Sequence, residues 1–491
     1  MASTDESSLA GSPAAASRTR LLVVDAGDER SFRPLNGVGG IPGPVAAYPQ
    51  FPDMTPVWAE AHVTLVRSFD WISRLDTRNN PQSLFPDWDA DPTDPLSYNF
   101  AATDDWVDAV HRIGADVLFT IASAIPQNKL PALDVGTYGV VVEHIVRHYA
   151  KGWANGPAKP VRRFEFGDQP DLGPLHFDGP AQAFYEMYEA FVNAVTRVDE
   201  SLTLGGPSLA FPLNPDAPLR EGFLEFVRER GLRLDFFSFL WFVDASRDPL
   251  EFRFVAAELR SLLDRHGFAG TRLVLSYWNY LAVPNTTAPP EEKGAFQVAT
   301  AIYLQDTVID DALFFRADSG LDPHYGFVDP GGICTDGVPD ERAVALTLIG
   351  RALRGRRLSV TGGDESGLAC AAGLEGDVVR VLIANFVAPA SALAPRASDD
   401  YTFTIPIGPN RIELSLRLAP QRPGLESAQV EAARVTVANL PWKDRTVSVT
   451  AQTLREGPHR LGDSTVSESG QVALDVAIDP QSVVLLEIAA L

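Results

Sequence analysis

From about residue 35 to 353, short apolar runs alternate with longer amphipathic stretches. The runs are Leu35–Gly39, Val63–Phe69, Asp116–Ile121, Arg163–Gly167, Thr203–Gly206, Asp235–Leu240, Arg272–Tyr277 and Ala312–Phe315. Their length and β-branched or aromatic content predict strands. Between them, helical spacing runs over Pro56–Ala61, Ala102–Ile113, Tyr138–Ala150, Pro180–Val198, Leu219–Arg230, Leu250–His266 and Glu291–Val308, and Asp340–Arg354 closes the series. Gly179-Pro180 opens one helix, and Gly114, Gly231 and Gly267 stand where helices end with φ > 0. Eight strands, each followed by a helix, predict a (β/α)₈ barrel of the α/β class.

After about Gly355 the helical period disappears. Val378–Asn385, Asp400–Pro406, Arg411–Arg417, Thr446–Ala451 and Gln471–Ile478 alternate apolar and polar residues between turns, which predicts an antiparallel β-sandwich. The early run Arg20–Asp25 precedes the barrel and is expected to supply one strand to that sandwich. The expected division is a tail over 1–19, a sandwich strand over 20–34, the barrel over 35–354 and the sandwich over 355–491.

Composition narrows the partners. The chain carries 41 Lys and Arg against 64 Asp and Glu, a net charge of −23. Such acidity repels phosphate backbones and anionic membranes, so neither nucleic acid nor a membrane is expected as a partner. No run reaches the roughly 20 apolar residues that span a bilayer. Met1 to Arg20 is Ser/Ala/Asp/Glu-rich without an apolar core, so it reads as a disordered tail and the expected setting is cytoplasmic. Cys334 and Cys370, the only cysteines, make no disulfide framework. His144 and His148 have zinc-compatible spacing, but no acidic partner lies between them and their helix belongs to the outer ring; no cofactor or metal is expected.

Barrel chemistry sits at the C-terminal strand ends. After the fourth barrel strand comes Arg163-Phe164-Glu165-Phe166-Gly167-Asp168-Gln169-Pro170-Asp171-Leu172, and after the seventh Ser276-Tyr277-Trp278-Asn279-Tyr280. These frames resemble glycoside hydrolase family 39, the β-xylosidase and α-iduronidase family. Its fourth-strand motif reads Glu-x-Trp-Asn-Glu-Pro-Asn-Leu and its seventh Thr-Glu-Trp-Asn. Glu165, Pro170 and Leu172 fit the first, and Trp278-Asn279 the second. Val66-Arg67, Tyr98-Asn99-Phe100, Gly205-Gly206-Pro207 and Gly326-Phe327 support the match, which spans about residues 20 to 360.

The departures fall on the reacting positions. By the resemblance, the family's acid/base glutamate corresponds to Gln169, the asparagine before it to Asp168, and the nucleophilic glutamate to Tyr277. His-Ala-Tyr on the sixth strand corresponds to Leu240-Trp241-Phe242, and a tryptophan on the eighth to Arg316. A retaining glycosidase needs two carboxyl groups about 5–5.5 Å apart. An amide has no proton to give, and a phenol with a pKa near 10 is scarcely ionised at neutral pH. Tyrosine nucleophiles serve in sialidases, with Asp168 the candidate helper here.

Other residues are read around this pair. Arg67 is expected to tie carboxylates such as Glu165 beneath the site. Arg316 either clamps an anion or pairs internally with Asp318 or Asp70. Asp70 binds a hydroxyl or is a solvated loop residue. Trp241, Phe242, Trp278 and Tyr280 offer faces for sugar stacking or for ordinary packing, with Asn279 beside them. His176 and His324 are loop histidines able to titrate near neutral pH. The expected ligand is therefore a glycoside or polyoxygenated small molecule. The expected protein is a glycosidase-like enzyme with an altered, even non-hydrolytic, mechanism. A catalytically inactive carbohydrate-binding pseudoglycosidase and a Tyr277/Asp168 glycosidase are the alternatives. Relatives of this kind often self-associate, which leaves a homo-oligomer open, although no surface patch in the sequence argues for one.

Overall fold

The computed structural model describes residues 18–46, 49–68, 83–121, 134–177, 179–214, 218–242, 248–280, 288–321, 331–363, 367–388, 393–407, 410–421 and 430–491. The expected tail over 1–19 lies outside them except for Arg18 and Thr19. Both belong to the first strand, β1 (Arg18–Ser31).

Eight parallel strands close a barrel in sequence order: β2 (Gly37–Gly39), β3 (Leu65–Arg67), β4 (Asp116–Ile121), β5 (Arg163–Phe166), β6 (Thr203–Leu209), β7 (Phe236–Phe242), β8 (Arg272–Asn279) and β9 (Asp311–Phe314). Around them run α1 (Thr55–Glu60), α2 (Ala101–Arg112), α3 (Val135–Lys151), α4 (Ala181–Val198), α5 (Phe223–Arg230), α6 (Glu251–Arg265), α7 (Pro290–Leu304) and α8 (Glu341–Ala352). Local signals act as expected at several ends. Gly231 is left-handed at φ 62 and caps α5, while Gly114 and Gly267, at φ 87 and 89, follow α2 and α6. Asp134 caps α3 by accepting from the Gly136 amide at 3.0 Å. The stretch read as one helix over Leu219–Arg230 begins as a π turn at Pro218–Gly222.

α7 and α8 depart from simple amphipathicity. Every residue of α7 from Lys293 to Leu304 is buried, because the helix lies between the barrel and a second layer. Gly350 in α8 is required by close approach: a Cβ there would lie 1.9 Å from the Ala61 carbonyl oxygen at the end of α1.

The second layer is a nine-stranded, mostly antiparallel sheet with its own apolar core. After a short hairpin, β10 (Cys334–Thr335) and β11 (Val338–Pro339), it is built from β12 (Arg356–Thr361), β13 (Leu368–Glu375), β14 (Val378–Asn385), β17 (Val430–Ala438), β18 (Thr446–Thr453), β19 (His459–Thr465), β20 (Val472–Ala477), β21 (Ser482–Ala490) and β1. β1 is an interior strand, third from one edge, antiparallel to β12 and parallel to β17, with Val23 opposite both Thr361 and Thr436. Alternation along it buries Leu22, Val24 and Ala26 in the sandwich core. One expectation changes. Among the described residues β15 (Asp400–Ile407) and β16 (Asn410–Arg417) pair only with each other, and this hairpin is clasped to the barrel by Asn214, which donates to the Ser415 carbonyl at 3.0 Å and accepts from the Arg417 amide at 2.7 Å.

Among the described residues no helix is long and apolar enough to cross a membrane. Because Leu22 is fully buried on this interior strand, Leu22→Ala is expected to cost about 2–5 kcal/mol of stability, read as a lowered denaturant midpoint with the barrel sequence untouched.

Candidate active site

At the C-terminal end of the barrel the side chains converge on a buried cation. Arg67, the last residue of β3, has 0% exposure. Its Nε donates to Glu165 Oε2 at 2.6 Å; its Nη2 donates to Asp168 Oδ1 at 2.9 Å and to Ser208 Oγ at 3.0 Å. Thr120 also donates to the same Oε2 at 2.8 Å, while Glu165 Oε1 is buried without a hydrogen-bond partner among the described residues. Arg67 does tie Glu165 beneath the site, and one guanidinium holds two carboxylates. Asp168 turns inward to Arg67 because β5 ends at Phe166, which releases the residue from strand alternation.

Two extra residues shape the wall beside Arg67. Between β6 and β7, Pro207 is opposite Ser238 and Leu209 opposite Phe239, leaving Ser208 unpaired at φ 58. Between β7 and β8, Phe239 is opposite Leu275 and Leu240 opposite Tyr277, leaving Ser276 unpaired. Such bulges re-aim side chains. Ser208 and Ser276 consequently meet, Oγ to Oγ at 3.0 Å, and Ser276 donates to the Phe239 carbonyl at 3.0 Å.

The same bulge sends Tyr277 inward, under the Arg67 guanidinium at 4.4 Å from the ring centroid. Tyr277 is 2% exposed, and its hydroxyl makes no close hydrogen bond among the described residues. Burial pushes the phenol pKa well up; Arg67 opposes this, while Asp168 and Glu165 reinforce it. Gly39 admits the ring, since a Cβ there would lie 2.3 Å from a ring carbon of Tyr277.

Gln169 is in the left-handed region at φ 51, an uncommon conformation for a residue with a Cβ. Its backbone amide donates to the Ser208 carbonyl at 2.9 Å, which anchors it to the β6 bulge, and its side chain is partly exposed. Asp168, Gln169 and Tyr277 are thus brought together around Arg67 and Ser208. His176 Nδ1 lies 2.9 Å from the Asp168 carbonyl oxygen.

Other expected positions move. Tyr277 faces inward, so its neighbour Trp278 faces the helices, against Phe252 of α6 and Phe314. Trp241, opposite Trp278, donates from Nε1 to Glu251 of α6 at 2.6 Å. Tyr280 donates to Glu292 at 2.6 Å and stacks on Phe296 of α7. Ordinary packing explains these three rings, and the sugar-stacking expectation for Trp241 and Trp278 is corrected accordingly. Phe242 instead packs on Phe315, 5.9 Å between centroids, and Phe315 packs on Tyr277 at 4.6 Å. Asn279 donates from Nδ2 to the Phe315 and Gly331 carbonyls, pinning the segment after β9. Arg316, 1% exposed, is held by Asp318 at 2.5 and 2.9 Å. Asp70 and His324 lie outside the described residues. His148 is structural: its ring nitrogens lie 2.8 Å from Asp104 Oδ1 and 2.7 Å from the Trp153 carbonyl oxygen. Among the described residues no three His, Cys, Asp or Glu side chains gather as metal ligands. A cavity of about 600 Å³ between α6 and the β15–β16 hairpin shares none of the candidate residues.

Comparison with known proteins places this geometry. Residues 87–247 match the model of Glycosyl hydrolases family 39. The crystal structure of a glucosidase from Croceicoccus marinus is 45% identical, with a TM-score of 0.91 and coverage of 96% of this chain and 99% of that one. Two further structures share the fold. The GH39 enzyme from Xanthomonas axonopodis pv. citri is 15% identical, with a TM-score of 0.67 and 97% and 98% coverage. A monomeric β-xylosidase from Caulobacter crescentus CB15 is 14% identical, with a TM-score of 0.68 and 96% and 100% coverage. No curated protein matches the chain.

Two outcomes follow from the charges. Arg67→Met strands two buried carboxylates and is expected to cost about 3–5 kcal/mol; adding Glu165→Gln and Asp168→Asn should recover most of it in chemical denaturation. Asp171, whose carboxylate accepts from the Ala210 and Phe211 amides at 2.7 Å each, has its pKa pushed up to about 6 by burial, against the pull of those amides. A folded-state pKa above the unfolded value contributes stability that is full below about pH 4 and is lost as pH rises through about 6. Asp171→Asn should therefore remove about 1–3 kcal/mol of the decline between pH 4 and 7, measured as the pH dependence of thermal stability.

Proposed function

The chain belongs to glycosyl hydrolase family 39, and from that membership we propose that it binds a glycosylated or polyoxygenated small molecule at the barrel mouth, with Gln169 and Tyr277 at the positions where the family carries its acid/base and nucleophile. It is a glycosidase-like enzyme whose chemistry departs from double displacement between two carboxylic acids. The observation that carries the reading is the state of Tyr277, a phenol buried beneath the Arg67 guanidinium and kept protonated by that burial.

A neutral amide and a neutral phenol offer hydrogen-bond donors to a glycosidic or ring oxygen without supplying a proton or a nucleophile. Loss of a general acid alone costs about 10²–10⁴ in rate. Elimination, cyclisation or rearrangement, in which binding and orientation carry more of the barrier, suits such a pair better than hydrolysis. Glu165 and Asp168 do not replace the missing acids in this reading, because both are committed to Arg67, with side-chain exposures of 0% and 6%. A Tyr277 nucleophile activated by Asp168 is disfavoured by the same facts. The glucosidase relative supports a glycoside as ligand.

Gln169→Glu combined with Tyr277→Glu restores the two carboxyls. The double variant is expected to hydrolyse nitrophenyl glycosides at least about 10² times faster than the parent. Parent activity on the same panel that disappears in Tyr277→Phe would instead establish the tyrosine as nucleophile. Binding without turnover in every variant would establish the inactive carbohydrate-binding alternative.

A further inference from the structure

The β15–β16 hairpin alternates like a sandwich strand yet, among the described residues, joins no sandwich sheet; its base instead walls the cavity of about 600 Å³ beside α6. Such a volume lies within the roughly 300–1,000 Å³ of small-molecule sites. From the hairpin come Asp399, Asp400 and Arg417, with Arg417 Nε donating to Asp400 Oδ1 at 3.1 Å. Pro212 and Leu213 come from the segment after β6, which the Asn214 clasp ties to the same hairpin. Arg220 comes from the π turn ahead of α5, a rare backbone form that recurs at functional sites. It is 9% exposed, and its Nη1 donates to the Pro212 carbonyl at 2.6 Å, which fixes the guanidinium against this wall.

α6 supplies the facing wall. Phe254, Glu258, Leu262 and Arg265 follow one another at the spacing of a single helix face. Phe254 is 37% exposed; among the described residues it makes no ring contact, and Glu258 makes no hydrogen bond or ion pair. Leu213, Leu259 and Leu262 give the cavity a buried apolar floor, and carboxylates and guanidiniums stand around it. A wholly apolar ligand would strip water from those polar groups and replace none of it. A ligand that fits both parts offers a C–H face to the ring and edge groups that donate as well as accept, which sugar hydroxyls do.

We infer that this cavity is an accessory saccharide-binding site, taking a short uncharged oligosaccharide outside the barrel mouth, with Phe254 stacking on a sugar ring and Glu258 and Arg417 bonding its hydroxyls. The site shares no residue with Gln169 and Tyr277, so it stands apart from the chemistry proposed for them.

The test is calorimetric titration of the full chain with cellobiose, xylobiose and maltose. The wild type is expected to bind at least one of them, and Phe254→Ala to weaken that binding at least about tenfold, as loss of a buried ring contact should. Phe254→Trp should keep it, and Glu258→Ala should weaken it. Both residues lie exposed on α6, so an unchanged melting curve is expected for each variant. Tyr277→Ala should leave this binding in place. Binding that survives Phe254→Ala and Glu258→Ala unchanged would overturn the accessory site, and its loss in Tyr277→Ala would then assign the sugar to the mouth. No binding of any of the three sugars by the wild type would also overturn it; dissociation of an oligomer by Phe254→Ala in sedimentation would then give the cavity to a second copy of this chain. The Phe254 comparison decides the matter whether or not Tyr277→Ala folds.

Discussion

A guanidinium with no exposure in the middle of a barrel is tolerable only when its charge is answered in place, and Arg67 is answered twice. Each buried ion forfeits several kcal/mol of hydration, so the positions of Glu165, Asp168 and Ser208 are set by this one group. Everything at the mouth is indexed to it. Asp168 turns inward to reach it, Gln169 follows in a left-handed conformation, and Tyr277 lies under its face. The charge network thereby fixes the direction in which the two candidate reacting positions point, although it contributes no proton of its own to them.

The bulges at Ser208 and Ser276 are the backbone counterpart of that network. A regular β8 would alternate strictly, so Ser276 and Tyr277 would take opposite faces. One surplus residue lets both face inward and turns Trp278 out to the helices. Among the described residues the aromatic wall at the mouth is therefore Phe242, Phe315 and Tyr277, with Trp241 and Trp278 in the shell between barrel and helices.

Much of this was legible in the sequence. Periodicity located the eight barrel strands, and Asp116–Ile121 and Val378–Asn385 agree to the residue, because their strand ends coincide with changes of pattern. Gly114, Gly231 and Gly267 ended helices as expected, since only a left-handed residue closes those turns. Composition could not reveal a bulge, which shifts register by one residue and leaves the alternation on either side intact. Hence the outward turn of Trp278 and Trp241 and the meeting of Ser208 with Ser276 were not foreseen. The β15–β16 hairpin alternates like any sandwich strand, and only its attachment to Asn214 sets it apart. The pairing of Arg316 with Asp318 was one of two readings open from sequence, and only three-dimensional placement could separate them.

The place of β1 has a consequence for synthesis. It is made before the barrel, yet its partners β12 and β17 begin at Arg356 and Val430. At ribosomal rates of about 5–20 residues per second, its apolar edge emerges on the order of tens of seconds before either neighbour exists. The nascent chain therefore carries Leu22 and Val24 without their sheet neighbours while the whole barrel is translated.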